Sequence, residues 1–94
     1  PQDYKLSQNY PNPFNPSTTI EFYLPVSNNI SLTVYNMVGQ EVISLVARSM
    51  MDAGSHSIIW NGLDRNGLQV SSGTYIYELK FGNLSKVRQM TFMK

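Results

Sequence analysis

Four stretches of this chain alternate apolar and polar residues with a period of two, and that pattern decides the class of fold. Ile20, Phe22 and Leu24 point one way from Thr18 to Leu24, against Thr19, Glu21 and Tyr23. Ile30, Leu32 and Val34 alternate with Ser31, Thr33 and Tyr35, and His56, Ile58 and Trp60 with Ser55, Ser57 and Ile59. Tyr75, Tyr77, Leu79 and Phe81 alternate with Thr74, Ile76, Glu78 and Lys80. Strands of this kind cover a core with one face and meet water with the other, as antiparallel sheets do. The alternation predicts Ile20, Phe22, Leu32, Val34, Ile58, Trp60, Tyr75, Tyr77 and Leu79 as core.

Turn residues punctuate these runs. Pro25 to Asn29 separates the first two strands, Asn36-Met37-Val38-Gly39 reads as a hairpin loop, and Asp64-Arg65-Asn66-Gly67 as a further turn. Gly82-Asn83 joins the last two strands as a two-residue hairpin. Gln40 to Ala47 reads as a strand without strict alternation, Arg48 to Ala53 as a single helical turn, and Leu68 to Val70 as a short edge strand at most. About seven strands in 94 residues, with turns every ~8–12 residues, predict an all-β, immunoglobulin-like antiparallel sandwich. Residues 18–94 form this domain. Residues 1–17 are read as a linker and proline-rich arm, because Pro11, Pro13 and Pro16 fix φ and bias their predecessors to extended geometry. Tyr10 and Phe14 are its expected anchors. The opening Pro1-Gln2-Asp3, without an initiator methionine, reads as a piece of a longer protein.

Chemistry is sparse. The chain has no cysteine, which removes disulfides, thiolate metal sites and cysteine nucleophiles. His56 is the one histidine, and a metal site needs three or four ligands. The turn at Asp64 lacks the bidentate glutamate of a calcium loop. The six carboxylates are scattered, and no phosphate-binding glycine motif or nucleophile elbow is present. A net charge of +1 offers no field to hold nucleic acid, and no apolar run approaches the ~20 residues of a membrane span. The expectation is a domain without catalysis, cofactor or metal. One asymmetry stands out: Lys80, Lys86, Arg88 and Lys94 are four of the seven cations, and no acid follows Glu78. Residue chemistry leaves two readings open. The cations either keep an edge strand from pairing with other chains, or form a recognition handle.

Ordered motifs add a resemblance. Asn9-Tyr10-Pro11-Asn12-Pro13-Phe14-Asn15-Pro16-Ser17-Thr18, Val34 to Val42, Ala53 to Gly62, Asp64 to Gly67 with Ser72 to Tyr77, and the basic final strand Lys86 to Lys94 follow in sequence. In this it resembles the type A C-terminal sorting domain of the type IX (Por) secretion system. The stretch from Trp60 to Tyr77 is also similar to the Ig-like domain of flagellar hook-capping proteins. Asn61 stands where the sorting family often has Asp, and Thr91-Phe92-Met93 where it often ends Leu-rich. The resemblance implies a non-catalytic module of secreted or surface proteins of Bacteroidetes, monomeric and placed behind an N-terminal passenger. Its implied partners are the outer-membrane translocon and a sortase, reached through the periplasm. Tyr10, Pro11, Asn12, Pro13, Phe14, Gly39, Trp60, Gly67, Gly73 and Tyr75 then carry the family's structural motif, and Lys86, Arg88 and Lys94 the translocon recognition. The rival functions are a structural or carbohydrate-binding Ig-like spacer, and a hook-cap-like assembly module that forms homo-oligomers.

Overall fold

The computed structural model describes residues 3–94 and is all-β. Its strands are β1 (Lys5–Leu6), β2 (Thr18–Leu24), β3 (Asn28–Asn36), β4 (Glu41–Met51), β5 (Gly54–Trp60), β6 (Gly73–Phe81) and β7 (Leu84–Phe92). They form two antiparallel sheets, ordered β1-β2-β5 and β4-β3-β6-β7. The chain passes from one sheet to the other after β2, after β4 and after β5, giving the immunoglobulin-like sandwich that the alternation predicts.

The register explains the core. β3 and β6 pair Val34 with Tyr77 and Leu32 with Leu79, so the inward sets of both strands coincide. Facing them, β2 contributes Ile20, Phe22 and Leu24. All of these, with Trp60 and Tyr75, are buried. Ile58 differs from expectation. It packs against the core but is only half-buried, because β5 is an edge strand of the three-stranded sheet. In the other sheet β7 alternates as well: Lys86, Arg88, Met90 and Phe92 share the inward face, and its last two members complete the core.

Two further expectations are corrected. Arg48 to Met51 is not a helical turn but the end of β4, held open by pairing of Asn28, Asn29 and Ile30 with Met51, Met50 and Ser49. Tertiary pairing overrides a weak local preference of this kind. Leu68 to Val70 forms no strand, only an isolated bridge between Gln69 and Leu63. The hairpin at Asn36 is as expected: the Asn36 Oδ1 accepts from the Val38 and Gln40 amides, and Gly39 takes φ of 85°, where a side chain would be strained.

Residues 5 and 6 of the proline-rich arm belong to the sandwich itself, pairing with Tyr23 and Phe22. Farther on, Tyr10 and Thr19 exchange backbone hydrogen bonds of 3.0 and 2.9 Å. The Tyr10 side chain, expected to anchor the arm, is 80% exposed. Its neighbour Pro11 explains this: the backbone is held by Thr19 while the Pro11 carbonyl turns inward to accept from Asn9 and Thr18, leaving the ring outside. Of the two expected anchors, Phe14 alone serves through its side chain, at 2% exposure.

Candidate functional site

Asn12, Phe14, Trp60 and Tyr75 of the family-like residues converge where the arm meets β7. Phe14 bridges Phe92 in parallel, its amide donating to the Thr91 carbonyl at 3.0 Å and its carbonyl accepting from the Met93 amide at 3.1 Å. Asn12 Oδ1 accepts from the Thr91 amide at 2.9 Å. Below this contact the Phe14 ring lies 5.5 Å from Trp60 and 5.1 Å from Phe92, and Trp60 meets Tyr75 edge-on at 5.6 Å. The polar ends are matched: Trp60 Nε1 donates to the Leu63 carbonyl and the Tyr75 hydroxyl to Ser71. Such matching is what allows Trp and Tyr to be buried. Gly62 sits directly above. A Cβ there would come within 3.3 Å of the Phe92 ring and 3.4 Å of the Pro16 carbonyl, so this glycine lets arm and strand close.

The other motif residues serve local structure. Pro13 lies exposed between Asn12 and Phe14, and Gly67 closes the Asp64 turn by donating to its carbonyl. Gly73 opens β6 opposite Phe92. One residue that matters here was not singled out as part of the site. Asn9 is buried, and its side-chain amide donates to Pro11 O and Thr18 Oγ1 while its backbone amide donates to the Tyr77 hydroxyl. Tyr77 in turn donates to Ser7 O at 2.6 Å. A buried asparagine beside a proline run must be satisfied somewhere, and that is the signal that was available.

Burial pushes the Tyr77 hydroxyl pKa upward, partly offset by the Asn9 hydrogen bond and the nearby Arg88 charge. Burial raises Tyr75 likewise, and Tyr35 is raised by burial and by the charges of Glu78 and Glu41. A raised tyrosine pKa means that the folded state holds the proton more tightly than the unfolded chain does. The stabilisation is therefore complete below about pH 10, the unfolded value, and is lost as pH rises through the folded values. Urea unfolding should thus show a midpoint falling steeply above pH 10. Tyr77→Phe, which deletes the hydroxyl between Ser7 and Asn9, should flatten that fall while costing about 1–3 kcal/mol at neutral pH.

Of the basic residues, Lys86 and Lys94 have exposed side chains, and Lys94 is held only by its backbone amide donating to Ser72 Oγ. Arg88 is engaged: its Nε donates to the Leu6 carbonyl at 2.5 Å, tying β7 to β1. Among the described residues the one ion pair is Arg65–Glu41, on the opposite side of the sheet. His56 is half-buried, donates from Nε2 to the Asp52 carbonyl and stacks on Phe22. No group of three or more His, Asp or Glu side chains lies close enough to hold a metal among these residues, and no helix there is long and apolar enough to cross a membrane.

An all-β domain of two sheets closed by an N-terminal arm defines the chain as an immunoglobulin-like module. The model of the FlgD Ig-like domain family matches residues 13–83, and the chain belongs to that family. Solved structures agree. FlgD of P. aeruginosa is 29% identical with a TM-score of 0.62, over 80% of this chain and 58% of that one. The latent dimeric PorU of Porphyromonas gingivalis is 18% identical with a TM-score of 0.76, over 96% of this chain and 9% of PorU. PorZ of the same bacterium, described as an essential surface component of its type IX secretion system, is 18% identical with a TM-score of 0.63, over 93% and 11%. The chain thus spans little more than half of FlgD and about a tenth of the Por proteins, and the likeness to the latter is one of fold. A search of curated proteins returned no match.

Proposed function

We propose that the chain is a non-catalytic type A C-terminal sorting domain, which directs an N-terminal passenger across the outer membrane through the type IX system for surface attachment or release. The reading is supported chiefly by the motif Asn9 to Thr18. In this chain it is no spacer: it pins the last strand through Asn12 and Phe14, so the most family-specific segment and the strand assigned to recognition are one unit. The likeness to PorZ is consistent with such a setting. The module would act as a monomer, its partners being translocon and sortase components met from the periplasm.

A second reading has its own observation. The family assignment and the 29% identity to FlgD favour an assembly module. The carbohydrate-binding spacer is disfavoured, since Tyr75 and Tyr77, its candidate stacking rings, are 7% and 0% exposed.

The test fuses residues 1–94 to a periplasmic reporter in a bacterium with a type IX system. The reporter is expected at the cell surface or in the medium, and its retention in the periplasm would remove the sorting reading in favour of assembly. The cationic handle is tested by Lys86→Gln with Lys94→Gln, each expected to shift stability by no more than about 0.5 kcal/mol. Arg88 is left in place because its bond to Leu6 is structural. A folded double variant exported at the parental rate would show these lysines to be edge protection only.

A further inference from the structure

The two sheets each end in an edge strand on the same side of the molecule, β1 in one and β7 in the other. Between them lies an open groove of about 400 Å³, with Tyr4 to Ser7 along one wall and Lys86 to Arg88 along the other. The hydrogen-bonding capacity of its β7 wall can be traced residue by residue. β7 directs alternate residues to β6 and to the outside. The outward carbonyl of Gln89, both outward groups of Thr91 and the amide of Met93 are taken by Gln8, Asn12 and Phe14 of the arm. The arm reaches no further, so the outward amides and carbonyls of Ser85 and Val87 have no partner among the described residues. An exposed sheet edge of this kind pairs readily with an added strand.

The charge on the groove selects the strand. Lys5, Lys86 and Arg88 line it, no carboxylate does, and none of the three cations has an ion-pair partner within 4.0 Å among the described residues. The nearest acid in sequence, Asp3, lies in the adjoining hollow beside Leu84. Lys86 and Arg88 sit two residues apart on one face, so their side chains are spaced about 6.4–6.8 Å along the strand. An extended partner has the same repeat and would bring a carboxylate opposite each. Between them, on the other face, Val87 is 59% exposed and offers an apolar contact.

We infer that the groove between β1 and β7 takes an extended peptide segment in which acidic and apolar residues alternate. The segment pairs with the backbone of Ser85 and Val87, with its carboxylates against Lys86, Arg88 and Lys5. This deepens the sorting reading by naming what the recognition strand would hold, and the two are separable. A domain that binds the peptide but does not export its reporter loses the pathway and keeps the site. Export without peptide binding does the reverse.

The test uses a capped seven-residue peptide of alternating glutamate and valine, titrated into residues 1–94 and followed by amide NMR and hydrogen exchange. Protection is expected at Ser85 and Val87. A peptide with glutamine in place of glutamate should bind about tenfold more weakly, as should the Lys5→Gln/Lys86→Gln double variant. Val87→Pro removes one outward donor without taking a bond from the β6 ladder, a placement edge strands tolerate, and should abolish binding. If Val87→Pro unfolds the domain, the double variant, whose amide spectrum checks its fold, decides alone. Equal binding of the glutamine peptide, protection mapping to β4 or β5, or binding of phosphatidylglycerol vesicles in place of any peptide would overturn the inference.

Discussion

Trp60→Ala should destabilise the domain by about 3–5 kcal/mol, the range for emptying a large aromatic site in a core that cannot collapse around it. Trp60 is 1% exposed and touches both the Phe14 and Tyr75 rings, so its removal leaves a void between the arm and β6. It would also leave the Leu63 carbonyl without its indole donor. Domains of this size have a total stability of about 5–15 kcal/mol, so the variant should lose a large fraction of it. Urea titration followed by far-UV circular dichroism checks this. A loss below about 1 kcal/mol would show that the indole does not hold the two sheets together.

Phe14→Ala should cost a similar ~3–5 kcal/mol, with a different signature. Phe14 joins the arm to β7 by two backbone hydrogen bonds and by its ring. Its truncation should therefore release Asn9 to Ser17 and the outward amides of Thr91 and Met93 to rapid hydrogen exchange before the rest of the sandwich opens. Tyr10→Ala is the internal control: with its ring 80% exposed, it should shift stability by less than about 0.5 kcal/mol. Equal protection of the arm in wild type and Phe14→Ala would mean that the arm is held by backbone pairing to Thr19 alone.

The contrast between those two aromatics marks how far the sequence could be read. Both stand beside prolines and both are large enough to anchor an arm, yet only one of them faces inward. Which one depends on the Tyr10–Thr19 pairing and on the Asn9 network, and neither leaves a periodic trace. The alternating strands β2, β3 and β6 were legible because one face is apolar throughout. β7 was half-legible: its cations were evident, but Lys86 and Arg88 occupy the same inward face as Met90 and Phe92, which makes it an alternating core strand with charged residues at its near end. β4 beyond Ala47 was misread because its extension depends on Asn28 to Ile30 across the sheet. Within the candidate site the cations were visible in sequence, whereas the Arg88–Leu6 tie spans 82 positions and could be known only from the fold.

That separation has a bearing on when the domain can form. Asn12 waits for Thr91 across 79 positions, and Leu6 for Arg88 across 82. Contacts so remote in sequence are slow to find each other, because the loop between them must close before they repay it. A chain whose β7 is still in the ribosomal exit tunnel has the arm and β2 but nothing for the arm to clasp. Closure waits on β7, and a chain cut before Ser85 has no Phe92 for Phe14 and no edge at Ser85. The clasp therefore reports that the whole sandwich has been made, because it joins the segment before β2 to the last strand.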